Sequence, residues 1–168
     1  DEFQPLARVP GLHLRWVREV GQLAGADWIV LPGSKQVSGD LAWLRERGLA
    51  AAVLAHAAAG GAVLGVCGGL QMLGRTLHDP LGHDGQPFDA LPGLGLLPLV
   101  TLFGADKRLC EGELRFDALH GPWAALGGVA ARGYEIRCGH TAVDAGSTAL
   151  RDAAGLDPAD DQFPLAVA

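Results

Sequence analysis

The chain has 168 residues, 49% of them hydrophobic, which is enough for one globular domain with a core of its own. A net charge of -6 and a pI near 5.4 leave no basic face for nucleic acid or an anionic membrane, so neither is expected as a partner. Three cysteines, at 67, 110 and 138, make an odd set with no C-x-x-C pair; this fits reduced thiols in a cytoplasmic protein and argues against a disulfide framework or a zinc site, so no metal is expected.

No signal-peptide pattern marks the first residues. Residues 1–11 contain two prolines and little periodicity, and read as a loop leading into a short strand over Leu12–Val17. Ala26–Leu31 (Ala-Asp-Trp-Ile-Val-Leu) reads as a buried strand that ends in Pro32-Gly33-Ser34-Lys35-Gln36. A glycine at the carboxyl end of a strand lets backbone amides approach a ligand. Gly33-Ser34-Lys35 lacks the upstream glycine and the length of a phosphate loop, so nucleotide binding is not expected there. Ser38 is placed to cap a helix running to Arg47, with Leu41 and Leu44 on one face and Gly48 at its stop. Leu49–Ala59 follows as an Ala-rich helix, and its His56 reads as a helix histidine without a chemical role.

From Gly48 to Gly74 no Asp, Glu, Lys or Arg occurs, long enough on paper for a membrane span. Gly60-Gly61, Gly65 and Gly68-Gly69, with His56 and Gln71 inside, divide it instead into a helix, a turn, a buried strand and a second helix. The strand, from Ala62, meets the helix at Cys67. Gly65-Val66-Cys67-Gly68-Gly69 has the form of a nucleophile elbow with Cys in place of Ser, its glycines removing Cβ atoms that would clash in a tight turn. A Cys held there emerges at the carboxyl end of a strand, where open α/β sheets place their sites. A buried structural cysteine beside a Gly-rich turn would leave the same trace, and neither reading names a substrate.

After the elbow helix, His78–Pro92 is rich in Asp, Gly, Pro and His and reads as a solvated surface loop. Its His78, His83, Asp79, Asp84 and Asp89 lack a spacing that would hold a metal. Gly93–Phe103 reads as an apolar strand that Pro98 demotes to an edge or bulged one, with Leu109–Phe116 pairing beside it. A Gly/Ala-rich loop carries Leu119-His120-Gly121-Pro122. Gly133–Thr141 then reads as a strand whose polar residues face a site, and Asp144–Ala168 is acidic and aperiodic until a last short strand at Phe163–Val167. No internal repeat and no shift of composition marks a second domain. The residues by themselves point to an α/β domain with a candidate cysteine nucleophile.

Five stretches carry a resemblance: Ile29-Val-Leu-Pro-Gly-Ser-Lys35, Asp40-Leu-Ala-Trp-Leu-Arg45, Val63-Leu-Gly-Val-Cys-Gly-Gly-Leu-Gln-Met-Leu-Gly74, Leu91-Pro-Gly-Leu-Gly-Leu-Leu-Pro98 and Gly133-Tyr-Glu-Ile136. In this order they resemble the glutamine amidotransferase domain of cobyric acid synthase. The Cys elbow indicates only the wider class I, Cys-type amidotransferase fold, whereas the Pro-Gly-Ser-Lys loop followed by Asp-Leu-Ala-Trp-Leu-Arg points to the cobyric acid branch. The resemblance implies a three-layer α/β sandwich with a mainly parallel central sheet, flavodoxin-like, and an antiparallel extension. It also implies that residues 1–168 are an amidotransferase domain truncated at both ends. In the family an ATP-dependent synthetase domain of dethiobiotin-synthetase type precedes this one. ATP and magnesium belong to that domain, and no cofactor is expected in this one.

The roles implied are those of a glutaminase that supplies ammonia for amidation of corrinoid carboxylates in cobalamin biosynthesis, a ligase reaction. Cys67 is the nucleophile toward glutamine. The backbone amides of Gly68 and of the Gly33-Ser34 loop form the oxyanion hole. Gln71, one helical turn beyond Cys67, holds the substrate, and Tyr134, Glu135 and Arg137 lie near its α-amino and carboxylate ends. The family's catalytic His stands in a Tyr-Leu-His-Gly segment downstream of Gly-Tyr-Glu-Ile. No such segment occurs here: His120 precedes Tyr134, and His140 has another context. The expectation is therefore that these residues stop short of the catalytic His and turn glutamine over negligibly. A stand-alone cysteine hydrolase on the same elbow and a silent partner-binding module are the alternatives.

Overall fold

The computed structural model describes residues 3–117 and 119–144; the strand expected over Phe163–Val167 lies outside the described residues. Two short apolar segments, β1 (Trp28–Leu31) and β2 (Ala62–Gly65), pair in parallel, from Trp28 opposite Ala62 to Leu31 opposite Gly65. A parallel pair needs a long crossover. Here it is made by two ten-residue helices, α1 (Val37–Glu46) and α2 (Leu49–Ala58), which bury Val37 and Leu41 from the one and Leu49, Ala50 and Val53 from the other. Between them Gly48, in the left-handed region at φ 71°, ends one helix and opens the next.

The six residues of α3 (Gly68–Leu73) are all buried. Beyond it lie β3 (Thr76–Asp79), β4 (Phe88–Pro92), β5 (Leu99–Arg115) and β6 (Ala130–Val143), arranged in the order β4-β3-β5-β6. β3 runs parallel to β5 and antiparallel to β4, and β5 and β6 are antiparallel. The architecture is thus α/β, with parallel strands and an antiparallel extension, as the sequence implies. One apolar core joins the two sheets: Ile29 and Leu31 of β1, Leu70 and Leu73 of α3, and Leu77 and Leu99 of β3 and β5 belong to a single cluster. Within the second sheet Thr101 and Thr141, both buried, share a hydrogen bond at 3.0 Å across the β5–β6 ladder.

Four local expectations differ from what is observed. Leu12–Val17 forms no strand, because β1 pairs only with β2 among the described residues; the segment instead flanks a cavity of about 810 Å³ beside β1, with Trp16 edge-on to Phe3. Residues 93–98 are not the start of a strand either. Their amides close the C-terminus of α3, Leu94 N–H donating to the Met72 carbonyl at 2.8 Å, Leu97 N–H to that of Leu73 and Gly95 N–H to that of Gly74, which satisfies carbonyls a helix end leaves open. Leu109–Phe116 is largely the far part of β5 itself, and the strand paired with it is β6. Finally, 78–92 is not one solvated loop, since β3 and β4 occupy its two ends and Asp79 and Asp84 are buried within it.

The uncharged stretch from Gly48 to Gly74 is accounted for by α2, a turn, β2 and α3. No helix among the described residues is long and apolar enough to cross a membrane.

Candidate active site

Beyond β2 the chain keeps one more bond of the parallel ladder, Val66 N–H to the Leu31 carbonyl at 2.9 Å, and then reverses into α3. Cys67 makes the reversal with φ 51° and ψ -110°, and it is the one described residue other than glycine with a positive φ. A side chain in that region strains the backbone, and persists only where the surroundings fix it. The surroundings do so by excluding side chains at the neighbouring positions. A Cβ on Gly65 would lie 2.6 Å from the Leu70 backbone, and one on Gly69 would overlap the Leu31 carbonyl oxygen. The helix then starts at once, with Gly69 N–H bonded to Val66 and Gln71 N–H to the Cys67 carbonyl at 3.2 Å. Cys67 itself is exposed.

The third glycine of the elbow locates the other wall. A Cβ on Gly68 would meet the Ser34 amide nitrogen and the Ser34 Cβ, each at 2.8 Å, and Val37 at 3.1 Å. The Pro-Gly-Ser loop after β1 therefore lies directly against the residue that follows the thiol. Ser34 is held within its own loop, its Oγ donating to Asp40 at 2.6 Å and accepting from the Gln36 N–H at 3.1 Å. Gly68 is the first residue of α3, and a helix gives its first amide no internal acceptor.

Ser38 does not cap α1. The helix begins at Val37, after Gln36, without a side-chain cap from its own sequence. Its first amides are taken by Asp84, whose two carboxylate oxygens accept from Val37 N–H at 2.8 Å and Ser38 N–H at 2.7 Å. Asp84 is 8% exposed and is fixed by Asp79, which is fully buried and accepts from the amides of His83 and Asp84 at 2.8 and 2.7 Å. Sequence reasoning missed both carboxylates. Their surroundings of Gly, Pro and His give the composition of a solvated turn, and no spacing relates Asp84 to a helix that begins 47 residues earlier.

The structure thus brings Gly33-Ser34, Cys67 and Gly68 into one place. Gln71 is buried, 6% exposed, one turn along α3. Tyr134, Glu135 and Arg137 are on β6, opposite Glu111, Cys110 and Arg108; their side chains lie outside what is described. His120 precedes the 3-10 turn Gly121–Leu126, and His140 sits on β6 opposite Leu102. An exposed thiol on a strand-to-helix turn, walled by backbone amides, is accessible to an electrophile coming from solvent.

Comparison with known proteins bears on the family and the fold. The sequence profile of the CobB/CobQ-like glutamine amidotransferase domain matches residues 1–158. The chain is similar to the cobyric acid synthase of Polaromonas sp. strain JS666, 60% identical over 154 residues that make up 92% of this chain and 30% of that protein. With the cobyric acid synthase of Variovorax paradoxus it is 61% identical over 143 residues, 85% of this chain and 29% of that one. The chain therefore spans about 30% of the length of these relatives. Among solved structures, a glutamine amidotransferase superposes with a TM-score of 0.58 over 84% of this chain and 67% of the other at 20% identity, a likeness of fold.

Proposed function

The chain belongs to the CobB/CobQ-like glutamine amidotransferase family, and from that premise we propose that it is the glutaminase part of a cobyric acid synthase. In this reading Cys67 Sγ adds to the side-chain carbonyl carbon of glutamine. The oxyanion that forms is held by the amides of Gly68 and of the Gly33-Ser34 loop. The carbon–nitrogen bond then breaks, the leaving nitrogen takes up a proton and departs as ammonia, and a glutamyl thioester remains. Water cleaves the thioester to glutamate and restores the thiol. Gln71, Tyr134, Glu135 and Arg137 are the residues we assign to the rest of the glutamine.

The ammonia is consumed by a synthetase domain of the same polypeptide, where ATP and magnesium activate carboxylates of a corrinoid. The relatives' greater length leaves room for such a domain. The reaction as a whole is a ligation in cobalamin biosynthesis, and we place it in the cytoplasm. The Tyr-Leu-His-Gly segment that the family resemblance calls for is not among these 168 residues, and we assign the proton transfer to neither His120 nor His140. A polypeptide of these residues alone should accordingly turn glutamine over negligibly.

The observation that carries the proposal is the exposed Cys67 at φ 51°, with the Ser34 amide packed on the next residue. Its test is covalent labelling, which needs the nucleophile but no turnover. The diazoketone analogue of glutamine, 6-diazo-5-oxonorleucine, is expected to give one adduct at Cys67 by peptide mapping, lost in Cys67→Ala. Faster labelling by peptide chloromethyl ketones would indicate a peptidase-like hydrolase instead. A thiol inert to both in the full-length polypeptide would end the catalytic reading.

A further inference from the structure

We propose that Asp84, itself fixed by Asp79, is a positioning residue for the thiol site: it holds the first turn of α1 and thereby the Gly33-Ser34 amides against the elbow. The inference rests on the glutaminase reading and adds to it a residue that touches neither substrate nor thiol.

A carboxylate that is 8% exposed is costly to bury unless its oxygens are hydrogen-bonded, and both Asp84 oxygens are spent on backbone amides of a different element. Val37 and Ser38 are the first two residues of a ten-residue helix, so their amides have no acceptor within it, and a negative charge there also complements the helix dipole. Asp79, with no exposed surface, spends its two oxygens on His83 and Asp84 and so sets the turn from which Asp84 reaches across. The clamp transmits over a short distance. Val37 is three residues from Ser34, and the Gln36 N–H bond to Ser34 Oγ lies between them. Val37 and the Ser34 amide also touch the same point, the position a Gly68 side chain would fill. A loosened first turn of α1 therefore shifts the wall of the elbow that donates hydrogen bonds, while the strand, the thiol and α3 stay where they are.

A residue acting only on stability would lower the melting temperature and leave selective reactivity alone, so the readout is a ratio of two rates. The diazoketone 6-diazo-5-oxonorleucine places a carbonyl oxygen where the oxyanion donors act, whereas iodoacetamide alkylates the thiol by direct displacement without calling on them. In the full chain, Asp84→Ala should slow diazoketone labelling of Cys67 by about tenfold and change iodoacetamide labelling less than about twofold. Asp84→Asn, which keeps the shape and one acceptor oxygen, should fall between this and the unmodified protein, and Asp79→Asn should move the ratio the same way by less. If Asp84→Ala does not fold, the near-isosteric Asp84→Asn decides. An unchanged ratio in the folded variants, whatever their melting temperatures, overturns the positioning role. Failure of the unmodified protein to react with the diazoketone overturns the glutaminase reading instead.

Discussion

Glycine does opposite jobs in the two halves of this molecule. Around the elbow, side chains at Gly65, Gly68 and Gly69 would collide with backbone atoms of Leu70, Ser34 and Leu31. On the β5–β6 ladder Gly112 and Gly133 stand opposite each other, and a side chain at either would meet nothing within 4 Å. The first set is there because three segments of main chain converge on one turn. The second occupies an open ladder, where register comes from the pairing of many residues and no single position is indispensable. The elbow is specified by contact, the hairpin by repetition.

The most forceful way to break that contrast is Gly69→Ala. Its methyl group has the Leu31 carbonyl in its way, so we expect a loss of about 3 kcal/mol in a denaturant melt, together with loss of Cys67 labelling. A survivor with normal stability and labelling would mean that the turn is not built on close approach. Thr101→Val is the intermediate case. It strands the buried Thr141 hydroxyl and should cost about 1 kcal/mol, with the double Thr101→Val, Thr141→Val variant recovering most of the loss and Cys67 labelling unaffected throughout. Smallest is Gly112→Ala, expected to leave stability unchanged or to raise it by about 0.5 kcal/mol, since alanine loses less chain entropy than glycine at an uncrowded strand position. A large loss there would show that the ladder too depends on single positions.

The same division explains which parts of the fold were legible in the sequence. β1, α2, β2 and the elbow follow from runs of neighbouring residues, and Ala62 to Leu73 alone announces strand, turn and helix, with Cys67 at the turn. The juxtaposition of Gly33-Ser34 with Gly68 was legible through the resemblance rather than through spacing. What sequence reasoning misplaced depends on partners far along the chain. Leu12–Val17 has strand-like alternation but no described strand beside it. The apolar run 93–98 carries the composition of a strand and spends its amides on the end of α3. Asp84 carries the composition of a loop and spends its charge on α1. Hydrophobic pattern reports which surfaces are covered, and it says little about which distant group covers them.

That dependence on distant partners has a temporal side. A chain growing from its N-terminus delivers the cysteine well before the aspartate that secures the opposite wall, because the capping acceptor of α1 lies 47 residues downstream of Val37. While the ribosome is between the two, the thiol exists without a settled wall beside it. If the glutaminase proposal holds, selective labelling of Cys67 by the diazoketone should thus arise late in synthesis, as a property of the second half closing on the first, and be missing from a nascent polypeptide stalled before residue 84.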